Sequence, residues 1–281
     1  MNSIASADLH WSEDGYAAIS GDLLEWLQKL DHRLLVWAKT LGAEEHRFPS
    51  FIAVECLEPI AYLKSFPHLA TFASCGIRDE SALRRMAAKA GELSHDWLDA
   101  PKQLLTPAAC YHFYHRLAGA EINSPVFLTT KCQCHRRETH YLPLQRQWCF
   151  EMRELVCIGD AATIDSFAHN CADRVETLLE ELCIDAAWQT ATDPFFDPAA
   201  DPKALAQLLE PSKLELCLSG GLAIASSNKH RSFFGECYDI RLHGKPADSA
   251  CVAFGLERWL FAMFEAHGAD VKLWPQPGSE S

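Results

Sequence analysis

The stretch KCQCHRRETH, residues 131–140, brings together several side chains that bind metals or anions. Thiols and imidazoles are the usual ligands of zinc, which holds them at about 2.0–2.3 Å in a tetrahedral arrangement. The residues around this stretch predict a β-strand, in which successive side chains point to opposite faces. Cys132 and Cys134 therefore share one face, while His135 lies on the other. The pattern argues against a closed metal site here and directs attention to the charged residues.

Two charged residues continue the face of Cys132 and Cys134, namely Arg136 and Glu138. The ordinary explanation is a strand that leaves the core, so that its charges reach water. The next strand, WCFEMRELVCI, places Glu154 in an otherwise apolar row. Because a buried carboxylate without a partner is costly, Glu154 is expected to face a cation, a proton donor or a metal, unless this strand is an exposed edge.

A third unusual position is Arg258, near the start of the apolar segment SACVAFGLERWLFAMF. The spacing of the apolar residues predicts a helix entered through Gly255. A cation in the first turn of a helix is disfavoured by roughly a few tenths of a kcal/mol. Arg258 is therefore either a surface residue or a group that holds an anionic or aromatic ligand.

Hydrophobic periodicity predicts the elements that must position these residues. Apolar residues at three- and four-residue steps predict helices over about 21–41, 80–98 and 163–183, and a short helix within 193–211. Strand-like runs occupy 126–138, 148–158, 213–218, 222–227 and 236–242. Because the strands are clustered with no regular βαβ alternation, the prediction is an α+β fold with an antiparallel sheet.

Composition restricts the class of protein. The 281 residues include 25 Lys and Arg against 38 Asp and Glu, and the formal charge of −13 opposes non-specific binding to nucleic acids or acidic membranes. No apolar run reaches the roughly 18 residues of a membrane span, and the first residues lack the pattern of an export signal. The protein is therefore expected in the cytoplasm, with its 12 cysteines mostly reduced and buried.

Three ordered segments resemble the signature motifs of class II aminoacyl-tRNA synthetase catalytic domains. HRRETHYLPLQRQWCFEMRE, residues 135–154, is similar to the second motif, and AFGLERW, residues 253–259, is similar to the third. The region 43–67, with Pro49, falls where the first motif, a dimer-interface element, would lie. The resemblance implies the fold of that class, an antiparallel sheet flanked by helices, in a single catalytic domain over residues 1–281.

Further stretches, AYLKSFPHL, LLTPAACYHFY and SSNKHRSFFGE, resemble the amino acid:[carrier protein] ligases, relatives of the catalytic core of atypical zinc-dependent seryl-tRNA synthetases. The resemblance covers about residues 45–265. In that family one zinc ion, held by Cys, Glu and Cys, binds the amino group of the substrate. The matching positions are Cys110, Glu154 and Cys251. Two thiolates and one carboxylate leave a fourth coordination position open for the amine.

The resemblance also implies a site for ATP with Mg²⁺. Arg136 would bind the α-phosphate and the amino acid carboxylate, since its planar fork suits both anions. Glu138 would accept from the adenine amino group. Phe150 and Arg258 would enclose the adenine by stacking and a cation–π contact.

One departure concerns Mg²⁺, because related enzymes carry a glutamate near a position where this chain has Leu222 and Ala223. Glu215, on the preceding strand, is the predicted substitute. Ser226 and Asn228 would line the substrate region.

The reaction implied by the resemblance is ATP-dependent activation of glycine or alanine, followed by transfer to the phosphopantetheine thiol of a small acidic carrier protein. The resemblance alone implies a homodimer. Action without tRNA is expected, since no tRNA-binding domain precedes the motifs. The alternatives are a catalytically silent paralogue that serves as a binding or regulatory module, and a minimal seryl-type tRNA synthetase. The presence of the motif residues favours an enzyme.

An acidic carrier requires a local basic surface for docking. One candidate is a helical arm over about 194–213, which carries Lys203 and Lys213. The other is the predicted helix with Arg84, Arg85 and Lys89, although a solvated helix face is the better explanation of those charges.

Overall fold

The computed structural model describes residues 6–88 and 94–278. The described helices are α1 (Gly21–Thr40), α2 (Tyr62–Ser65), α3 (Glu80–Ala88), α4 (Tyr111–Arg116), α5 (Ala161–Leu182), α6 (Pro202–Leu209), α7 (Phe233–Tyr238) and α8 (Leu256–His267). Short 3₁₀ turns occupy Val54–Leu57, Pro67–Leu69, His95–Trp97 and Val271–Leu273. No helix within the described ranges is long and apolar enough to cross a membrane.

The strands include several short pairs and one large sheet. They are β1 (Leu9–Ser12), β2 (Tyr16–Ile19), β3 (Glu44–His46), β4 (Phe51–Ala53), β5 (Phe72–Ala73), β6 (Gln103–Leu105), β7 (Glu121–Ile122), β8 (Val126–His135), β9 (Cys149–Gly159), β10 (Ala186–Thr190), β11 (Lys213–Leu218), β12 (Ala223–Arg231), β13 (Arg241–Leu242), β14 (Lys245–Pro246) and β15 (Asp248–Gly255). The large sheet has the order β10-β11-β12-β15-β9-β8-β3. Its pairs are antiparallel except β3 with β8.

The two faces of this sheet bury different sets of side chains. On one face, Leu155, Val252 and Phe254 pack with apolar residues of α1, α5 and α8 in the largest hydrophobic cluster. The opposite face carries Glu154 and Cys251 beneath a second layer. The α+β prediction with an antiparallel sheet flanked by helices is therefore confirmed.

A buried ion pair fixes α1 against the sheet. Arg153 of β9 is 2% exposed. Its Nε and Nη2 donate to the two carboxylate oxygens of Asp31 on α1, at 2.7 and 3.0 Å. Two parallel hydrogen bonds of this kind fix orientation as well as distance.

Glu154 lies on an interior strand. β9 pairs with β15 on one side and β8 on the other, and Glu154 is 1% exposed. The exposed-edge explanation for this carboxylate is therefore wrong, and its burial needs a chemical partner.

Two predicted elements end earlier than expected. The strand predicted over 126–138 ends at His135, because Arg137 N–H turns away to donate to Leu69 O at 3.0 Å. Arg136 and Glu138 thus follow the strand rather than extend it. The helix predicted over 80–98 reaches Ala88, residues 89–93 lie outside the described part of the chain, and a 3₁₀ turn begins at His95.

The strand predicted over 236–242 is mostly wrong. Tyr238, Ile240 and Leu242 are alternately buried, as the prediction required. However, Asp239 adopts φ 51°, which ends α7 and turns the chain, so that only Arg241–Leu242 forms a strand. The alternation was real, but a left-handed residue lay within it.

Candidate active site

A cavity of about 390 Å³ lies on the face of the large sheet that carries Glu154 and Cys251. Its lining contains all ten residues predicted to form the site: Cys110, Arg136, Glu138, Phe150, Glu154, Glu215, Ser226, Asn228, Cys251 and Arg258. Four neighbouring strands, β11, β12, β15 and β9, supply six of them. The others come from the start of α4, the loop after β8 and the first turn of α8. The tertiary fold thus brings the predicted residues into one site.

The three predicted metal ligands form a compact cluster. Ligand atoms of Cys110, Glu154 and Cys251 all lie within 4.8 Å of one another, and all three residues are buried. The register of the sheet explains why Glu154 and Cys251 are close. Glu154 is paired with Ala253, and Cys251 lies two residues before Ala253 on the same face of β15. Cys110, the residue that immediately precedes α4, completes the cluster.

The donor set fits a zinc ion. One Glu154 oxygen accepts the Ala109 N–H at 2.8 Å, while its other oxygen, Oε2, is buried and has no hydrogen-bond partner among the described residues. Burial, followed by the negative charge of Cys251, raises the pKa of the Glu154 carboxyl to about 8. Two thiols and an unsatisfied carboxylate oxygen are the ligands that zinc prefers, and a cation among them would offset the cost of burying this charge.

The two thiols of the cluster are unequal. They share a hydrogen bond, which holds the pKa of Cys251 well below its ordinary value and raises the pKa of Cys110 well above it. A second anionic thiolate here requires a nearby positive charge, since like charges disfavour each other's ionised form.

Arg136 and Phe150 lie against each other in the cavity wall. Arg136 Cζ is 5.4 Å from the centroid of the Phe150 ring, and Arg136 Nε donates to Pro107 O at 3.0 Å. Cys134, which precedes Arg136 on the same face, is paired with Phe150 across the β8–β9 ladder. The Arg136 guanidinium is therefore fixed by a ring and a carbonyl, with its remaining N–H groups available for an anion.

Arg258 is held by two backbone carbonyls. Its Nε donates to Gln145 O at 2.8 Å and its Nη1 to Ala223 O at 2.7 Å. Burial, followed by the positive charges of Arg136 and Arg146, lowers the pKa of the Arg258 guanidinium to about 10. Three mutually repelling guanidinium groups around one cavity favour a polyanionic ligand.

The loop that carries Glu138 is supported by the N-terminal hairpin. Glu138 pairs with Arg146 at 2.8 Å, and Gly15 O, in the β1–β2 turn, accepts the Trp148 N–H. Gly15 has φ 92°, and a Cβ there would lie 2.6 Å from Cγ of Tyr141. Glycine is thus required where the hairpin contacts this loop.

Glu215, the predicted Mg²⁺ ligand, has a cationic partner. Lys213 Nζ lies 3.0 Å from Glu215 Oε1 and 2.8 Å from Asp193 Oδ1. Ser226 is paired with Glu215 across the β11–β12 ladder, so both side chains face the cavity. Any cation bound by Glu215 would compete with Lys213 for its carboxylate.

The structure corrects the basic docking surface predicted on the arm. Lys213 is 8% exposed and lies in the cavity wall between two carboxylates. Lys203 Nζ donates to Ile60 O at 3.0 Å, and its side chain also lines the cavity. Arg84 and Arg85 are exposed on α3, and Lys89 lies outside the described residues.

Sequence reasoning missed some of the cavity residues. His230 and Asp193 are among them, and Gln147 lines the cavity as well. His230 lies two residues beyond Asn228 on β12 and so shares its face, but the strand predicted over 222–227 ended before both residues. Asp193 and Gln147 lie in loops, whose positions local periodicity does not predict.

A buried carboxyl at the start of α8 makes stability depend on pH. Both Glu257 oxygens accept the Glu151 N–H, at 2.8 and 3.0 Å, and burial raises the pKa of Glu257 from 4.5 to about 8. The folded state therefore binds this proton more tightly than the unfolded state. The stabilisation is complete below pH 4.5 and is lost as pH rises through about 8.

We expect Glu257→Gln, which cannot titrate, to lose less unfolding free energy than the parent between about pH 5 and about pH 8.5. Urea unfolding at each pH measures the difference. Glu265→Gln, an exposed change on the same helix, serves as the control and should follow the parent. Equal losses in Glu257→Gln and the parent would contradict this origin of the pH dependence.

Known structures share this fold. A structure of M. kandleri SerRS in complex with A. aeolicus tRNASec superimposes with a TM-score of 0.82 at 20% identity, covering 95% of this chain and 56% of that chain. Giardia lamblia prolyl-tRNA synthetase in complex with prolyl-adenylate gives 0.69 at 14% identity, over 92% and 49% of the two chains. The fold is therefore that of the class II aminoacyl-tRNA synthetases.

Comparison with sequence relatives identifies the family to which the chain belongs. Amino acid–[acyl-carrier-protein] ligase 1 of Bradyrhizobium diazoefficiens is 33% identical over 253 residues, which cover 86% of this chain and 77% of that protein. Ligase 2 of the same organism is 35% identical over 248 residues, 83% and 73% of the two chains. No family model matches the chain. The chain belongs to the amino acid–[acyl-carrier-protein] ligase family.

Serine–tRNA ligases are more distant relatives. The type-2 serine–tRNA ligase of Methanococcus aeolicus is 26% identical over 259 residues, which cover 84% of this chain and 49% of that protein. The chain thus spans about half the length of these ligases.

Proposed function

We propose that this ligase activates a small amino acid, glycine or alanine, with ATP and transfers it to the phosphopantetheine thiol of a carrier protein. The observation that carries the proposal is the placement of the Cys110, Glu154 and Cys251 cluster in the same cavity as Arg136 and its aromatic partner. The cluster is suited to bind an amine through a metal ion, whereas Arg136 and its aromatic partner are suited to bind a nucleotide. A site that joins an amino acid to AMP needs both.

The proposed reaction has two steps. In the first, a carboxylate oxygen of the amino acid attacks the α-phosphorus of ATP and diphosphate leaves, which gives an aminoacyl adenylate. In the second, the carrier thiol loses its proton and its sulfur attacks the acyl carbon, while AMP leaves with the electron pair of the broken C–O bond. No side-chain nucleophile is required, so the protein contributes positioning and charge stabilisation.

Each motif residue has a role in these steps. Arg136 donates to the α-phosphate and the substrate carboxylate, which keeps the two reacting groups in contact and neutralises the charge that develops between them. Phe150 stacks on adenine, and Arg258 closes the opposite side. Glu138 accepts from the adenine amino group, and Arg146 holds its carboxylate in place.

Two metals complete the proposed site. Zinc bound by Cys110, Glu154 and Cys251, one ion per chain, would serve as a Lewis acid that anchors the neutral α-amine of the substrate. Mg²⁺ would accompany ATP, with Glu215 as the proposed ligand. Ser226 and Asn228 line the cavity from alternate positions of β12 and are proposed to contact the amino acid.

The amino acid is proposed to be small because the resemblance of the sequence motifs implies glycine or alanine. One methylene changes discrimination by only about 1–3 kcal/mol, so the two are expected to compete for the same site. A homodimer and a cytoplasmic location remain predictions of the sequence.

ATP–diphosphate exchange with each of the 20 amino acids, without tRNA or carrier, tests the proposed activation. Exchange with glycine or alanine is the expected result, and it also names the substrate. No exchange with any amino acid, in folded protein loaded with zinc, would favour a catalytically silent binding module. Aminoacylation of tRNA at a rate comparable to that of a carrier would favour a minimal tRNA synthetase.

The carrier is proposed to dock on the arm that contains α6. Leu205, Leu208 and Leu209 are 56–73% exposed and lie on one helical side, at three- and four-residue spacing. Other residues of α6, Ala206 and Gln207, line the cavity, so this apolar side lies beside the entrance that the carrier thiol must reach. Docking is therefore proposed to depend on apolar contact rather than on Lys203 and Lys213.

Leu208→Glu is expected to raise the KM for an acidic carrier by about 10-fold, because apolar contact is lost and like charge is added. Exchange of ATP with diphosphate should be unchanged, since Leu208 does not line the cavity. Kinetics of carrier aminoacylation and of exchange measure the two effects separately. Leu273→Glu, at another exposed leucine, is the control, and an equal effect in both variants would contradict docking on α6.

A further inference from the structure

His230 lies at the edge of the proposed metal site. It is two residues beyond Asn228 on β12, and its side chain lines the cavity. Its Nε2 lies 3.7 Å from the Sγ of Cys251. The Asn228 amide lies on the same side and places Nδ2 3.5 Å from this sulfur. One proposed ligand thus receives two N–H donors from a single neighbouring strand.

The other ring nitrogen of His230 is held by two hydroxyl groups. Nδ1 lies 3.2 Å from the Tyr114 hydroxyl and 3.2 Å from Ser249 Oγ. When one of these hydroxyl groups donates a hydrogen bond to Nδ1, the ring proton lies on Nε2, which is the nitrogen that faces the sulfur. In this tautomer Nε2–H is the group that donates to Cys251.

Aromatic packing fixes the plane of the His230 ring. The ring meets Phe234 edge to face, with centroids 4.7 Å apart and an interplanar angle of 84°. Phe234 is itself stacked on Tyr114, with centroids 3.8 Å apart and planes 2° from parallel. Tyr114, whose hydroxyl contacts Nδ1, and Phe234, whose ring fixes the imidazole plane, are thus packed against each other.

We propose that His230 is a positioning residue for the metal site, which holds Cys251 through an Nε2–H···S hydrogen bond. Residues outside the coordination sphere that hydrogen-bond to ligands orient them and change metal affinity by about 10–100-fold. Tyr114 and Ser249 act behind His230 by fixing its tautomer. This inference depends on the proposed zinc site, and it adds a residue that the metal-ligand motif does not contain.

Zinc affinity of the full chain, measured by competition with a chromophoric chelator, tests the proposal without any activity assay. His230→Leu removes the donor and is expected to weaken zinc binding by about 10–100-fold. His230→Gln places an amide N–H near the position of Nε2 and should restore most of the affinity. Tyr114→Phe keeps the stacked ring and removes only the hydroxyl, so a smaller loss is expected.

A matched control is His267→Leu, because the His267 Nε2 is hydrogen-bonded to Leu182 O at 2.8 Å in a part of the fold remote from the cavity. Its zinc affinity should equal that of the parent. Thermal unfolding of the metal-free variants shows whether each has folded.

Three outcomes would overturn the inference. Equal zinc affinity in His230→Leu and the parent would show that the imidazole does not position the ligand. Equal weakening in His230→Gln and His230→Leu would assign the effect to ring packing rather than to hydrogen bonding. A parent chain that binds no zinc but exchanges ATP with diphosphate would remove the metal site itself, while leaving the proposed reaction intact.

Discussion

Replacing Arg136 by lysine is expected to lower amino-acid-dependent ATP–diphosphate exchange by about 10²–10³-fold, the effect of removing one preorganised donor from a transition state. Lysine keeps the positive charge but loses the planar fork that contacts two anions together. In the structure this fork is already fixed by Pro107 O and the Phe150 ring. A flexible ammonium would have neither constraint. Steady-state exchange assays at saturating ATP measure the loss.

Arg137→Lys is the matched control for this prediction. Arg137 is the next residue, is exposed and directs its backbone N–H towards Leu69 O. Its variant should exchange at the parental rate. If Arg136→Lys retained more than about a tenth of parental exchange, Arg136 would not be the group that joins the two anions.

Cys251→Ala is expected to reduce the zinc content from the proposed one ion per chain to an amount near zero after dialysis against a weak chelator. Groups that only hydrogen-bond to metal ligands change metal affinity by up to about 100-fold. Loss of one of the three ligands themselves should therefore weaken zinc binding by more than this. The remaining pair, Cys110 and Glu154, leaves too few ligands for a zinc site. Elemental analysis of the purified chain measures the zinc content, and Cys110→Ala should give the same result.

Cys217→Ala provides the comparison for a buried thiol with no predicted role. Cys217 is 7% exposed on β11 of the same sheet, so its loss reports the cost of a small cavity alone. Its zinc content should match the parent. Parental zinc in both Cys251→Ala and Cys110→Ala would return these cysteines to the ordinary hydrophobic core.

Local patterns predicted the long elements because their periodicity is strong. α1, α5 and β11 lie within about two residues of their predicted bounds. A periodic apolar face reports burial against one neighbouring layer, which is the environment these elements have. Glu154 stood out for the same reason, since it is the one carboxylate in the even-numbered row of β9 and interrupts buried apolar residues.

The strand β15 was not predicted, although it carries Cys251. Its residues are small and apolar, and it lies between β12 and β9 with both faces covered. A strand buried on both faces has no alternation to detect. Ends of elements at left-handed residues were missed for a different reason. Asp239 is a residue type that tolerates φ 51°, but nothing in its neighbours requires this conformation.

The sequence by itself determined which chemical groups are available and which strands and helices carry most of them. Only the tertiary structure decided that Lys213 faces two carboxylates inside the cavity instead of a partner at the surface. Only the tertiary structure placed the His230 imidazole against the sulfur of Cys251. Both results depend on pairing between strands that are distant in the chain, and periodicity within one strand contains no information about the register of its neighbours.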